Sequence, residues 1–191
     1  MVRKAKRLIS AVMLAFSICV ITWSIASAYA YYGYWWSSTQ SYTLSGFPSG
    51  WAAYLNVSAQ TWTNVTPAKL TYQNVASGGR LVSYGAIDGA NGTLGQTSIS
   101  VLFGLLQSGS IVMDSAESWY AGTGVPSSTQ YDLQSATTHE FGHLLGLDHT
   151  AGIYCPGNTN NATMCLSINK GQYYMRTLEG DDRNGINYLY P

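Results

Sequence analysis

The chain has 191 residues, no net formal charge and only 9% charged residues. That length suits one domain with a substantial core and is too short for two domains of ordinary size. Beyond the first seven residues, lysine and arginine occur singly, so no basic face is predicted. These features argue against a nucleic-acid-binding protein and against a chain of several domains.

The amino-terminal 30 residues have the features of an export signal. Four basic residues between Arg3 and Arg7 precede an uncharged run over residues 8–30, which ends in two overlapping small-x-small cleavage sites. We expect cleavage after Ala30, with Ala28 as the alternative, and hence a secreted, extracellular protein. The run is also long enough to span a bilayer, so an uncleaved anchor is the other interpretation.

The first predicted elements after this signal are a strand, a helix and two more strands. Apolar and hydroxyl residues alternate around Tyr42, which indicates a strand. From Trp51 the apolar spacing becomes helical, and this helix must end near Val65 because the residue before Pro67 is pushed toward extended geometry. The next two strands are predicted at residues 70–72 and 81–87.

Two more strands are predicted in the middle of the chain. Residues 88–95 are rich in glycine and indicate a loop. Strands are predicted to follow at residues 97–106 and 110–113. The apolar run at 101–106 could equally form a short turn of helix, since periodicity alone does not separate the two.

Two helices are predicted in the last third. Asp132 is placed to cap a helix that ends at Gly146. After a long irregular stretch, Asp181 or Asp182 is placed to cap a final helix. No internal repeat and no linker divides the chain, so one domain is expected.

All three histidines of the chain lie in HEFGHLLGLDH. His139 and His143 are one helical turn apart, so both imidazoles leave the same helix face. Gly146 can take the left-handed conformation that ends a helix, after which the chain can bring His149 back to the same point. Three imidazoles leave the fourth position of a tetrahedral Zn²⁺ open to water, as in catalytic sites. Glu140 is then the candidate general base for that zinc-bound water.

The cysteine count points to one disulfide. Cys19 lies in the predicted signal, which leaves Cys155 and Cys165 in the exported part. In an oxidising compartment an even number of cysteines favours pairing, which would close a small loop after His149. A second zinc site at these cysteines is the alternative, but no further histidine or cysteine remains to complete it.

The chain resembles the matrixins, the family of the matrix metalloproteinases within the metzincins. Three segments carry the resemblance: HEFGHLLGLDHT, TWTNVTPAKLTY and DDRNGINYLY. Met164 stands where the family has the methionine of its Met-turn. The resemblance implies an α+β catalytic domain over residues 31–191, with a twisted, mostly parallel five-stranded sheet, an antiparallel edge strand, two long helices and a short C-terminal helix.

The resemblance also implies a function, that of a secreted zinc endopeptidase cleaving internal peptide bonds of extracellular proteins. Leu94 and Gly95 are expected on the edge strand along which a substrate is laid. We expect a monomer with protein or peptide substrates, no nucleic acid partner, and no membrane contact once the signal is removed. The alternatives are a catalytically silent binding module, against which Glu140 argues, and a zinc hydrolase of a non-peptide substrate.

Two departures from the family bear on the site. After Met164 come Cys165, Leu166, Ser167 and Ile168, where matrixins usually show tyrosine, proline and a further tyrosine along the specificity pocket. Pocket depth is therefore not predicted. The family also holds a structural zinc through three histidines and an aspartate, and no zinc ligand stands at the corresponding positions, so that ion is expected to be absent. These positions are Leu81, Ser83, Gln96 and Val112.

The family's calcium pattern, in contrast, is retained. The matching residues are a loop and a pair of carboxylates, namely Asp88, Gly89, Asn91, Thr93, Asp114 and Glu117. Oxygen ligands of this kind suit Ca²⁺ rather than zinc. The alternative is that Asp88 forms a turn and the other two acids are solvated surface charges. We expect one catalytic zinc and at least one structural calcium per chain.

Overall fold

A computed structural model describes residues 29–35, 37, 39–65, 69–150, 155 and 162–191. The predicted export signal lies outside the described residues, except for Tyr29 and Ala30. Within these ranges, no helix has the length and apolar character that crossing a membrane requires.

Five strands form the main sheet. They are β1 Thr39–Ser45, β2 Thr71–Asn74, β3 Arg80–Gly85, β4 Gly95–Leu102 and β5 Leu105–Asp114. Their order is β2-β1-β3-β5-β4, and every pairing is parallel except that of β4 with β5. The antiparallel strand β4 therefore takes one edge of the sheet. This arrangement confirms the predicted α+β class, the mostly parallel sheet and the antiparallel edge strand.

The apolar run at residues 101–106 contains the turn of the β4–β5 hairpin, so the alternative of a helical turn is wrong. Phe103 and Gly104 have φ angles of 51° and 77°, which suit a tight two-residue hairpin turn. The predicted strand bounds were also wrong here. The turn divides the strand predicted over 97–106, and its last residues start β5.

Three α-helices accompany the sheet in the described part of the chain. They are α1 Ala52–Thr63, α2 Leu133–Leu144 and α3 Gly180–Leu189. Sequence analysis missed a 3-10 helix and a two-stranded parallel sheet, because elements this short carry no periodicity. These are the 3-10 helix Tyr174–Arg176 and the strands β6 Trp119–Tyr120 and β7 Tyr131–Asp132.

The N-cap predicted from the sequence is correct for α2 and wrong for α3. Asp132 accepts a hydrogen bond from the Ser135 N–H at 2.8 Å and caps α2 as predicted. The cap of α3 is Glu179, so the prediction of Asp181 or Asp182 was wrong. Asp182 instead lies within the first turn, and its carboxylate reaches back to the Glu179 N–H at 2.8 Å.

The helix α2 is fixed against the sheet and against α1. The Phe141 ring lies 5.1 Å from that of Tyr42 and 5.0 Å from that of Tyr72, both in edge orientation. The Trp62 indole N–H of α1 donates to the Thr138 carbonyl at 2.8 Å. Burial of an aromatic ring such as Phe141 contributes about 1.5 to 3 kcal/mol. These contacts fix the position of α2, the helix that carries His139 and His143.

Two links hold the C-terminal part beside α2. The Arg176 Nε–H donates to Asp132 Oδ1 at 2.9 Å, a second guanidinium nitrogen contacts Oδ2, and the Asp132 side chain is fully buried. Cys155 and Cys165 form a disulfide with Cα atoms 5.7 Å apart. The first link ties the 3-10 helix to the start of α2, and the second closes the loop after the histidine motif.

Candidate active site

The three histidines direct one nitrogen each at a common point. The Nε2 atoms of His139, His143 and His149 lie 3.0, 3.1 and 3.2 Å from one another. A tetrahedral ion bound at about 2.0 to 2.1 Å requires ligand atoms roughly 3.3 Å apart. Within the described part of the chain, this is the one group of three or more histidine, cysteine or acidic side chains able to hold a metal. The donor set fits zinc.

Backbone carbonyls fix the tautomers of two ligands. His139 Nδ1 lies 2.7 Å from the Thr163 carbonyl oxygen, and His143 Nδ1 lies 2.8 Å from that of Leu147. Because a carbonyl only accepts, both Nδ1 atoms carry the proton and both Nε2 atoms present lone pairs. Burial lowers the pKa of each imidazole to about 4. Both rings are therefore neutral near pH 7, as metal ligands must be.

The turn after α2 brings the third histidine into place. Gly146 has a φ of 102°, and a Cβ there would lie 1.9 Å from the Gly33 carbonyl oxygen. Only glycine satisfies both conditions, which agrees with the turn predicted from sequence. Beyond it, the Asp148 carboxylate accepts from the His149 N–H at 2.7 Å and from the Tyr32 hydroxyl. The amino-terminal segment thus supports the loop that presents His149.

Met164, the methionine predicted for the Met-turn, packs against the helix α2. Its sulfur packs so closely on Gly142 of α2 that a Cβ at that position would lie 2.3 Å from it. The Met164 carbonyl accepts from the Thr150 N–H at 2.9 Å. Asp182 of α3 accepts from the Thr163 and Met164 N–H groups at 2.8 and 3.0 Å. This turn therefore holds both the ligand loop and the carbonyl that orients His139.

Glu140 faces a cleft of about 860 Å³ that all three histidines also line. Glu140 is only 7% exposed, and this burial raises the pKa of its carboxyl group. Thr97 of β4 donates a hydrogen bond of 2.6 Å to Glu140 Oε2, which acts in the opposite direction. The sequence motif predicts Glu140 but not Thr97, because no local pattern relates residues 43 positions apart.

The edge of the sheet and the segment after Met164 form two walls of this cleft. Gly95, the first residue of β4, lines it from the edge strand, and Leu94 lines it from the position just before that strand, so the prediction that Leu94 lies on the strand was wrong. Leu166, Ser167 and Ile168 also line the cleft. Leu166 is 75% exposed, whereas Ile168 is buried. Met175, from the 3-10 helix that sequence analysis missed, also lines the cleft.

The predicted calcium residues come together around one loop. Asp114 Oδ2 accepts from the N–H groups of Asp88 and Gly89 at 3.3 and 3.2 Å. Backbone hydrogen bonds, that of Ala116 first, hold the Asp114 pKa below its ordinary value. Glu117 Oε1 accepts from Gly92 at 2.8 Å, and its Oε2 is buried with no hydrogen-bond partner in the described structure. That orphaned oxygen fits a cation, although Asp88, Asp114 and Glu117 do not form a tight three-ligand group there.

The four positions that correspond to the family's structural zinc lie on neighbouring strands. Ser83 pairs with Val112, and Val112 pairs with Gln96. Leu81 lies earlier on β3 and is 47% exposed. Apolar, hydroxyl and amide side chains of this kind are not zinc ligands, so the absence of the second zinc stays a prediction based on residue type.

A mixed sheet with an antiparallel edge strand, beside a helix that carries a three-histidine cluster, defines an α+β domain built to bind a metal. The profile of the matrixin family matches residues 53–191, so the chain belongs to the matrixin family. The resemblance drawn from its motifs is thereby confirmed.

Two curated relatives are similar to parts of the chain. Metalloendoproteinase 5-MMP of Arabidopsis thaliana is 34% identical over 109 residues, which are 54% of this chain and 26% of that protein. Stromelysin-3 of Mus musculus is 27% identical over 139 residues, which are 69% of this chain and 25% of that protein. The aligned region therefore spans about a quarter of the length of each relative.

Proposed function

We propose that this chain is a secreted zinc-dependent endopeptidase that cleaves internal peptide bonds of extracellular proteins. The observation that carries the proposal is the convergence of the Nε2 atoms of His139, His143 and His149 within 3.2 Å of one another, in the cleft that Glu140 lines. Membership of the matrixin family supports the same conclusion. Export is inferred from the basic and apolar pattern of residues 1–30.

The chemistry divides between the metal and Glu140. His139, His143 and His149 would hold a zinc ion, which would act as a Lewis acid on the scissile carbonyl and lower the pKa of a water molecule. Glu140 takes the proton from the attacking water and passes it to the leaving amine. Burial that raises the pKa of Glu140 favours this exchange, because a base works best when its pKa approaches the working pH.

The edge strand β4 is the proposed platform for the substrate. It pairs with β5 on one side, and no strand covers its other side in the part of the chain that the structure describes. An extended peptide can add there as a further strand through main-chain hydrogen bonds. Leu94 and Gly95 then place the scissile bond beside Glu140, since all three residues line the same cleft.

Calcium is proposed as a second, structural metal. The support is the buried, unpartnered Oε2 of Glu117 together with the fully buried Asp114, both beside the loop that starts at Asp88. An oxygen-only set with carboxylates matches the preference of Ca²⁺. The loop runs directly into Leu94 of the substrate edge, so calcium here acts on the stability of the cleft wall rather than on the chemistry.

Incubation of the purified secreted protein with a mixed peptide library, with and without a zinc-selective chelator, tests the proposed function. We expect cleavage at internal bonds that stops on chelation and returns with added zinc. Mass spectrometry of the products identifies the cleaved bonds and the preferred side chains. Zinc-loaded protein that cleaves no peptide in the library would contradict the proposal and favour a binding module or a different substrate class.

A further inference from the structure

Glu140 is held by the edge strand as well as by its own helix. Thr97 Oγ1 lies 2.6 Å from Glu140 Oε2 and 3.1 Å from the carbonyl oxygen of the same residue. A hydroxyl donating to a carboxylate at this distance makes a short, charge-assisted hydrogen bond. Among the described residues, Thr97 is the one hydrogen-bond donor to this carboxylate.

The strand β4 is also shaped to admit the carboxylate. Gly95 and Thr97 are two residues apart on the strand, so they face the same side of the sheet. A Cβ on Gly95 would lie 2.9 Å from both Cγ and Oε1 of Glu140, closer than real Cβ atoms come to other atoms. The glycine therefore provides the space, and the threonine provides the donor.

The two carboxylate oxygens are treated differently. Oε2 is bound by Thr97, whereas Oε1 receives no hydrogen bond from any residue that the structure describes. Glu140 lines the cleft, so Oε1 stays available to accept from a water molecule there. A buried carboxylate with only a structural role can accept hydrogen bonds at both oxygens. A general base, in contrast, must keep one oxygen free to take the proton.

We propose that Thr97 is a positioning residue for the general base: its hydroxyl holds the Glu140 carboxylate against β4 and so directs the free oxygen at the reacting water. The inference rests on the proposed peptidase function. Because β4 is also the proposed substrate platform, one strand then sets the position of both the base and the scissile bond. Such shared placement matters because a displacement of about 1 Å at a reacting group costs on the order of 100-fold in rate.

Substitutions at Thr97 separate the hydroxyl from the shape of the side chain. Thr97→Val removes the donor and keeps a β-branched side chain that suits a strand. We expect its kcat to fall about 10- to 100-fold, with KM changed less than about twofold, because part of the base's contribution of roughly 10² to 10⁴ is lost. Thr97→Ser keeps the hydroxyl and should return kcat to within about threefold of the wild type.

A matched control lies on the neighbouring strand β5. Ser108 hydrogen-bonds Ser100 across the β4–β5 hairpin at 2.7 Å, and it neither lines the cleft nor belongs to the proposed substrate platform β4. Ser108→Ala removes a hydroxyl from the same hairpin, so it reports any general effect on the pairing of β4. It should leave kcat and KM at wild-type values, and zinc content should be equal in all variants because no ligand is changed.

Unfolding of the zinc-loaded protein gives a readout that does not depend on activity. A double-mutant cycle combines Thr97→Val with Glu140→Met, which removes the carboxylate at similar volume. Thr97→Val should raise the unfolding equilibrium constant about tenfold when Glu140 is present and less than about twofold in the Glu140→Met background. Such coupling shows that the hydroxyl acts on the carboxylate.

The outcomes separate this inference from the proposed function. A zinc-loaded wild type that cleaves no peptide would overturn both. Cleavage by the wild type, with kcat of Thr97→Val within about twofold of it, would overturn the role of Thr97 alone. A cycle without coupling would overturn it as well, and so would a Thr97→Ser variant as slow as Thr97→Val.

Discussion

The three-histidine cluster and the loop that starts at Asp88 are the two proposed metal sites, but their polar atoms are satisfied differently. The Nδ1 atoms of His139 and His143 are bound by carbonyls, while the Nε2 atoms face only one another. Around the loop, the Asp88 and Asp114 carboxylates already accept several hydrogen bonds from the protein.

This difference shows which site depends more on its ion. The Nε2 lone pairs of His139 and His143 converge, which is unfavourable without a cation, so the proposed zinc site should depend strongly on its ion. A loop whose carboxylates accept backbone N–H groups can hold its shape by itself, and a cation there adds stability to an arrangement that already exists. Zinc should therefore control turnover, and calcium should control only stability.

The largest expected effect is at the zinc site. Glu140→Gln removes the base without changing a ligand, so we expect zinc content and unfolding temperature near those of the wild type. Peptide cleavage should fall by roughly 10² to 10⁴ in kcat. Steady-state kinetics with elemental analysis of the same sample tests this, and near-wild-type cleavage by the variant would show that the assigned base is wrong.

The second prediction concerns calcium. After removal of all metals and restoration of zinc, calcium at about 100 times its Kd should raise the free energy of unfolding by about 2.7 kcal/mol. The melting temperature should rise, while kcat measured well below that temperature should not change. Magnesium is the matched control, because it prefers a smaller octahedral set.

Asp114→Asn provides the variant control for calcium. It removes a carboxylate charge from the proposed site and should abolish the response to calcium while leaving zinc content unchanged. A melting temperature of the wild type that does not change with calcium would contradict the proposed calcium site. The loop would then be held by its internal hydrogen bonds alone.

The third prediction concerns the disulfide that follows the histidine motif. Replacing Cys155 and Cys165 by serine opens a short loop, at a cost of about 3 kcal/mol in the chain-entropy description. Stability should fall, and the response to calcium should stay the same, because neither cysteine is among the proposed calcium ligands. Denaturant unfolding checks the cost, and two free thiols by mass spectrometry of the unreduced wild type would contradict the pairing.

Local sequence signals predicted the zinc side well. The cap at Asp132, the histidine spacing and the turn at Gly146 each depend on residues within one helix and its end, so a short motif contains their geometry. The cap of the last helix was predicted wrongly. The Asp182 carboxylate accepts hydrogen bonds from the N–H groups of Thr163 and Met164, and from that of Glu179, which is the actual cap. A sequence pattern does not show the first two of these bonds.

Contacts between distant segments were not predictable in the same way. The apolar run at 101–106 had no periodicity to separate strand from helix, and its turn uses a positive φ at Phe103, a residue that gives little signal for it. The bond from Thr97 to Glu140 requires the pairing of β4 with the sheet and the packing of α2 beside it. The spacing of residues in the sequence predicts neither this strand pairing nor this helix packing.

The smallest expected effect tests whether the Asp88 carboxylate is committed to the protein or available to calcium. The Thr93 hydroxyl donates to Asp88 Oδ2 at 2.6 Å, and the Thr93 N–H donates to both carboxylate oxygens. Thr93→Val removes the hydroxyl bond and keeps the backbone carbonyl of residue 93, which the resemblance to the matrixins implies as a calcium ligand. Without calcium, the loss of this exposed hydrogen bond should lower the free energy of unfolding by about 0.5 to 1.5 kcal/mol.

The response of this variant to calcium then decides between two arrangements. If Asp88 binds the ion through its carboxylate, the freed oxygen should tighten calcium binding, and the variant should reach half of its stabilisation at a lower calcium concentration than the wild type. If Asp88 acts only as a turn former, the midpoint should not move. Calcium titrations of both proteins, followed by thermal unfolding, distinguish the two, and an unmoved midpoint would remove Asp88 from the ligand set while leaving Asp114 and Glu117 in it.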